Sequence, residues 1–343
     1  EVGEKANNTP IETTKANGQI VDMNYQNWII SGGVNTRTEV SLTFYDAQRA
    51  PTAVITQNNL KKRVSSVYYM ETYTALSAGA TSGYQHATHY TYDVHGYVPM
   101  LVQDVPALSV VTAQYNYIEY DYDLVSGNVN NVVYNKSQRD EFRHRYTYDG
   151  DNRIVQVETS HDGVLWDADA NYEYYQHGPL ARTEIGDLKV QGLDFAYTIH
   201  GWIKGVNSNT MDISRDIGKD GQVGGSRQSI AKDAFGYTLN YYSGDYQNIA
   251  GLSGASNFEA GMTGSDLEQA SPDLYNGNIS KMVTCLPQAA SYNSSKTITP
   301  EAFGNAYRYD QLNRLQSSRT FTNVDYTNNQ WQYSGSSNPQ DFA

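Results

Sequence analysis

Two runs of aspartates and one pair of histidines are the residues of this 343-residue chain best placed to do chemistry. "HDGVLWDAD" holds Asp162, Asp167 and Asp169, and "DISRDIGKDG" holds Asp212, Asp216 and Asp220. Either trio could offer calcium an oxygen cage, yet neither follows the spacing of an EF-hand loop or of a calcium-binding nonapeptide repeat. A solvated hairpin tip for the first and a polar loop for the second outweigh a metal site. In "HATH", His86 and His89 sit at i and i+3. On a strand those positions point to opposite faces, which argues against a shared metal. The sequence shows no G-x-S-x-G, H-E-x-x-H or phosphate loop, and no catalytic Ser-His-Asp neighbourhood is expected. Neither catalytic residues nor cofactors are expected. A two-carboxylate glycosidase would need acids on facing strands across a groove of aromatic residues. Aromatic residues are abundant here, but they recur with a repeat, and recurrence points to packing.

The elements that must position these residues are strands. Thirty tyrosines stand against eight phenylalanines, with much Thr, Val, Asn and Gly, which favours short strands joined by turns over helices. The formal charge of -13 repels both a phosphate backbone and an anionic membrane surface, so neither nucleic acid nor membrane insertion is expected. Cys285 is the single cysteine and cannot close an internal disulfide. No run of eighteen apolar residues occurs, and the opening "EVGEKANNTPIETTKANGQ" has neither an initiator Met nor a hydrophobic signal region. The expectation is a processed or excised piece of something longer.

One pattern organises the chain. Aligned on Tyr-x-Tyr, "YTYDVHGYV" starts at Tyr90, "YTYDGDNRI" at Tyr146, "YEYYQHGPL" at Tyr172, "FAYTIHGWI" at Phe195 and "YRYDQLNRL" at Tyr307. "YDYDLVSGNV" at Tyr120 fits with one residue inserted. The second aromatic positions are Tyr92, Tyr122, Tyr148, Tyr174, Tyr197 and Tyr309, and the first five lie 30, 26, 26 and 23 residues apart. That spacing is two strands plus turns. The position after the tip is Gly96, Gly127, Asn152, Gly178, Gly201 or Asn313, and glycine and asparagine share tolerance of a left-handed backbone. Each copy therefore predicts a hairpin. Its two tyrosines face one side, Asp93, Asp123, Asp149 or Asp310 caps the turn, and the Gly or Asn reverses the chain. Units this small bury no core alone, so they must stack, with tyrosines in columns up one face. His95, His177 and His200 precede the turn glycine and read as part of the turn; Trp166 and Trp202 read as packing.

This hairpin motif resembles the YD repeat of RHS-repeat proteins, in which Tyr-Asp is followed by Gly-Arg or Asn-Arg, as in Asn152-Arg153 and Asn313-Arg314. "EVSLTFYDAQRAP", "NLKKRVSSVYYME", "DAFGYTLNYYSGDY" and "LYNGNISKMV" extend the likeness, which is to the Bacteroidota branch of large exported members. The resemblance implies a spiral β-sheet wound into a hollow shell around a cargo, often a C-terminal toxin. It also implies export to the medium or the cell surface through outer-membrane machinery of the type IX kind. Its partners would be the rest of the shell and the enclosed polypeptide. The Asp-Pro that marks self-cleavage in the family does not occur. About three hundred residues of repeat give too few turns of sheet to close a shell. The expected chain is therefore all-β, built of stacked hairpins as one wall segment, and not an enzyme. Its layout is a flexible lead-in over 1–18, repeats over 19–325 with long loops at 207–233 and 253–273, and a tail or cut repeat edge over 326–343. The competing reading is an adhesin that binds glycans through an exposed Tyr- and Trp-rich face.

Overall fold

Alternating Thr, Val and Tyr residues do form strands, and the strands pair in chain order. The computed structural model describes residues 15–16, 19–20, 38–72, 76, 78–110, 113–248, 257–262, 271–288, 299–321, 324–331 and 341–342. Among the described residues every regular element is a strand, except one turn of 3-10 helix at Pro106–Val110. The fold is all-β, as the turn chemistry predicts. Most of the lead-in over 1–18, most of the loop at 253–273 and residues 332–340 of the tail lie outside the described residues.

The chain divides into two compact units, 1–146 with 159–166, and 147–158 with 167–343. In the first, β1 (Lys15–Ala16) pairs with β2 (Gln19–Ile20) as a small ribbon. Next come β3 (Thr38–Tyr45), β4 (Val64–Thr72), β5 (His86–Thr91), β6 (Met100–Asp104), β7 (Tyr115–Tyr122), β8 (Val129–Tyr134) and β9 (Phe142–Tyr148). Each pairs antiparallel with the next. Period-2 burial is plain in β5, where Ala87, His89 and Thr91 are buried and the residues between them are not. Tyr68, Met70, Tyr84 and Ala87 form one apolar cluster, and Ala50, Ile55 and Val102 another.

The second unit starts with β10 (Ile154–Ser160), β11 (Asp167–Tyr174), β12 (Leu180–Ile185), β13 (Gln191–Tyr197), β14 (Ile203–Val206) and β15 (Gly236–Asn240). It continues through β16 (Gly261–Met262), β17 (Lys281–Gln288), β18 (Thr299–Tyr309), β19 (Leu315–Phe321), β20 (Val324–Asp325), β21 (Gln330–Trp331) and β22 (Asp341–Phe342). From β11 to β19 the strands form one antiparallel sheet in chain order, which omits only β16. β16, β20 and β21 make a separate three-stranded sheet. Ala260, Val283, Cys285, Ala302 and Trp331 form its apolar cluster.

The segment 207–233 carries no regular element, yet its first residues are packed inside the unit. Asn207, Ser208, Asn209 and Thr210 are at most 1% exposed. Their polar groups find partners on neighbouring strands: Asn207 donates to the Phe235 carbonyl at 2.9 Å and Asn209 to Thr238 Oγ1 at 3.1 Å. A polar stretch can be buried at this cost only when its amides are satisfied.

Candidate functional site

The repeats that carry an aspartate close their turns through it. At Asp149, Oδ1 accepts from the amides of Asp151 and Arg153, each at 2.9 Å, while Oδ2 accepts Arg153 Nε at 2.8 Å. Asp310 is bound the same way by Leu312 and Arg314. The backbone bond from Arg153, then its guanidinium, holds the Asp149 carboxyl below the usual range, and Arg314 does the same for Asp310. Asp93 accepts from the amides of Gly96 and Tyr97, and Asp123 from those of Val125 and Ser126. The residue that reverses the chain has positive φ in every copy: Gly96, Gly127, Asn152, Gly178, Gly201 and Asn313. Lys62 takes that role at 60° after the Tyr45-Asp46 pair, where the turn is expanded by the segment 47–61.

The second tyrosine of a hairpin reaches back to the hairpin before it. Tyr92 donates its hydroxyl to the Val64 carbonyl at 2.9 Å, Tyr122 to Val98 at 3.2 Å, Tyr174 to Ile154 at 2.7 Å and Tyr309 to Ile279 at 3.0 Å. Tyr241, in a copy with a divergent sequence, does the same to Ile203 at 2.9 Å. Every acceptor lies two residues past a positive-φ position, Lys62, Gly96, Asn152, Gly201 or Gly277. The rings differ from the expected stack of tyrosines. Those of Tyr92, Tyr122 and Tyr174 pack against Arg63, Tyr97 and Arg153, each the first residue after the preceding turn. The guanidinium of Arg153 lies 4.5 Å from the Tyr174 centroid. Arg153 therefore clamps its own Asp149 and covers Tyr174 of the next hairpin.

A one-residue bulge completes the joint, and sequence reasoning missed it. Register slips opposite Tyr45, Tyr122, Tyr174, Tyr197 and Tyr309 leave Ser65, Asn130, Ala181, Lys204 and Gln316 as the extra residues on the outgoing strands. Each lies three positions after the positive-φ residue. These five residue types have nothing in common, so only their fixed offset could have disclosed the bulge.

The aspartate trios are spent on local structure. Asp162 Oδ1 accepts from the amides of Val164 and Leu165 at 2.8 and 2.9 Å and so caps a hairpin tip, while Asp167 and Asp169 are exposed on β11. Asp212 caps its own turn through Ser214, and Asp220 binds Arg182. Among the described residues no three His, Cys, Asp or Glu side chains converge in a metal-binding arrangement.

Two buried polar groupings lie outside the repeat, and the first brings together a Ser, a His and an Asp, an arrangement the sequence did not lead us to expect. In the first unit, Ser66 Oγ meets His89 Nδ1 at 2.8 Å, and His89 Nε2 lies 3.5 Å from Asp104 Oδ2. Tyr84 donates to that same Oδ2, and Gln114 donates to Oδ1 at 2.9 Å. Ser66, His89 and Asp104 have no exposed surface, and Tyr68 covers the imidazole edge-on. Burial pushes the Tyr84 hydroxyl far up and that of Tyr68 up to about 12. With its hydroxyl sealed from solvent, the trio is a polar lock across β4, β5 and β6. These residues meet only because antiparallel register sets Ser66 beside His89. The connection from β4 to β5 runs over 73–85, too long for the sequence to fix that register.

In the second unit Arg182, 1% exposed, is ringed by acids. Its Nε meets Glu184 at 3.1 Å, its Nη2 meets Asp220 at 2.7 Å and its Nη1 meets Asp194. Asp216 and Asp233 stand beside them, and Asp220 Oδ2 has no hydrogen-bond partner. Burial, with repulsion from Asp216 and Asp220, pushes Asp194 up to about 6 despite Arg182. Burial raises Asp233 further, assisted by the charge of Asp216 and a hydrogen bond with it. Acids crowded like this shed charge by keeping protons. Lys204, the bulged residue opposite Tyr197, is likewise buried and pairs with Asp245 at 2.7 Å and Glu259 at 3.1 Å.

No family model matches the chain, and no curated protein matches it. Among solved structures, the Tc holotoxin pore of Photorhabdus luminescens, in a TccC3 mutant, is similar at 14% identity and a TM-score of 0.39 over 78% of this chain. The match spans 11% of that chain. A porin-like protein from Bacteroides uniformis is similar at 9% identity and a TM-score of 0.24, over 75% of this chain and 87% of that one. Neither likeness bears on what this chain does.

Proposed function

We propose that the chain is a wall segment of an exported RHS-type β-shell that encloses or carries a polypeptide. The observation behind this reading is the use made of the repeat residues. The closing tyrosines Tyr92, Tyr122, Tyr174 and Tyr309 are consumed in holding a hairpin to the one before it, and Asp93, Asp123, Asp149 and Asp310 in capping their own turns. A side chain already bound on every tier is a construction element, and a catalytic group would break the period. The buried networks around His89 and Arg182 join neighbouring strands, which suits a wall that must stay shut. In this reading the partners are the remaining shell and its cargo, the location is the medium or the cell surface, and no reaction is catalysed. Protease protection tests it on the protein purified from its native source. The enclosed polypeptide should survive digestion that degrades it once the shell is denatured. Cleavage at the same rate in the intact particle would sink the reading.

One feature favours the adhesin as a second reading. Tyr242 stacks on Tyr275 at 4.7 Å, Tyr275 is 71% exposed, and the Tyr242 hydroxyl meets His200 Nδ1 at 3.1 Å. An exposed aromatic shelf of this kind suits sugar rings or a partner surface. Retention on immobilised glycans that disappears in Tyr275→Ala would support it; equal retention would remove it.

A further inference from the structure

The first unit carries a cleft of about 810 Å³, and Tyr92 and Tyr120 are part of its lining. Lateral pairing sets Met100, Glu119, Val133 and Arg143 in one row across β6, β7, β8 and β9, with Asp121 and Asn131 paired one pleat along. Residues paired in this way share a face. Trp166 and Lys136 also line the space. Its volume falls within the range of small-ligand pockets, about 300–1,000 Å³.

The chemistry of the lining selects a ligand class. Glu119 and Asp121 are balanced by Lys136 and Arg143, and Glu119 already pairs with Lys136 at 3.3 Å. The cleft therefore has no net field to draw a strongly charged ligand. Carboxylate acceptors and amide donors stand side by side, with Asn131 donating to Asp121 at 3.0 Å. Such a pair satisfies groups that both donate and accept, as hydroxyls do. Met100 and Val133 supply apolar floor between the polar groups. Trp166 is pinned, its Nε1 donating to the Gly163 carbonyl at 3.2 Å and the Arg145 guanidinium 4.1 Å from its ring centroid. An aromatic plane held in place before the ligand arrives saves ordering entropy. The floor strands β6, β7 and β8 are each paired on both sides, so no edge is open for a peptide to add as a strand.

We infer that this cleft binds a short neutral oligosaccharide. Asp121 and Asn131 take ring hydroxyls, and Trp166 and Met100 face the apolar side of a sugar. The inference does not rest on the wall reading, and its site is separate from the Tyr242–Tyr275 shelf.

The test is saturation-transfer NMR and tryptophan fluorescence on the whole chain with a panel of neutral disaccharides, alongside a mixed-charge peptide of similar mass. At least one disaccharide should bind saturably. Asp121→Ala and Asn131→Ala should each weaken it about tenfold, the effect of losing one good hydrogen bond to a charged or amide group. Trp166→Ala should abolish it, while Tyr275→Ala leaves it unchanged. Binding should change less than about twofold when salt rises from low to high, since neutral ligands release no screened charge. The idea is overturned if no disaccharide binds saturably. It is equally overturned if Asp121→Ala and Asn131→Ala bind like the parent at unchanged melting temperature, or if the peptide competes at the same site.

Discussion

Removing the Tyr174 hydroxyl tests the joint between hairpins with the least disturbance. Tyr174→Phe keeps the ring beneath Arg153 and deletes only the 2.7 Å bond to the Ile154 carbonyl. A neutral hydrogen bond of this kind contributes about 0.5–1.5 kcal/mol net. Arg153→Met removes the guanidinium from above the ring, about 0.5–1 kcal/mol at a half-exposed site, and also frees Asp149. Tyr174→Ala loses both and part of the ring's packing. Complete burial would make that loss about 3–5 kcal/mol. Because Tyr174 is half-buried, about 2 kcal/mol is expected. Tyr148 is half-buried too, so the same reduced figure applies to Tyr148→Ala. Urea unfolding followed by tryptophan emission measures all four variants. At about 2–4 °C per kcal/mol for a unit of this size, Tyr174→Phe should lower the melting temperature by a few degrees. A phenylalanine variant as stable as the parent would show that the hydroxyl is spectator to the joint. An alanine variant no worse than phenylalanine would show the same of the ring.

Arg182→Met strips the buried cation paired with Asp194 and Asp220, and should cost about 3–5 kcal/mol in denaturant titration, since it leaves charges buried without that partner. Stability of the second unit should fall as pH rises from about 4 through 6 and beyond. Asp194 keeps its proton up to about 6 when folded, and that contribution is full below the unfolded value near 3.9 and lost above 6. Asp233, raised further, extends the decline, so Asp233→Asn should flatten the slope in melts taken across that range; an unchanged slope would place the titration elsewhere. A broad hydrolase screen with and without calcium or zinc should show no turnover, and EDTA should leave the melt in place. Turnover lost on a single carboxylate substitution at unchanged stability would overturn the wall reading.

Hairpins are local objects, which is why they were legible. Tyr-x-Tyr, the capping aspartate and the Gly or Asn lie within nine residues of one another, and side-chain period and φ tolerance decide the outcome there. Positive φ at Asn152 and Asn313 was legible from an Asn at a fixed place in the turn, although Lys62 shows that the turn imposes it on other types too. The partner of Tyr174 could not be read, because Ile154 belongs to the previous hairpin and the offset depends on strand length. The meeting of Ser66, His89 and Asp104 was hidden for a similar reason. It needs the register of three strands, two of them joined by the long connection over 73–85. The segment 207–233 read as loop from its Gly, Asp and Ser content, and it lacks strands as expected. Composition carries no trace of its burial, which comes from amides of Asn207 and Asn209 that fit partners on β15 and beside it. Acids such as Asp216 and Asp233 looked scattered in sequence and meet around Arg182 only through that folded-in segment.

An electron cryomicroscopy map of the particle purified from its native source would test the wall reading most directly. The reading predicts that these hairpin tiers continue into further tiers of the same sheet, with polypeptide density held against one face. A map in which both faces of the sheet meet solvent and no polypeptide lies against either would contradict it.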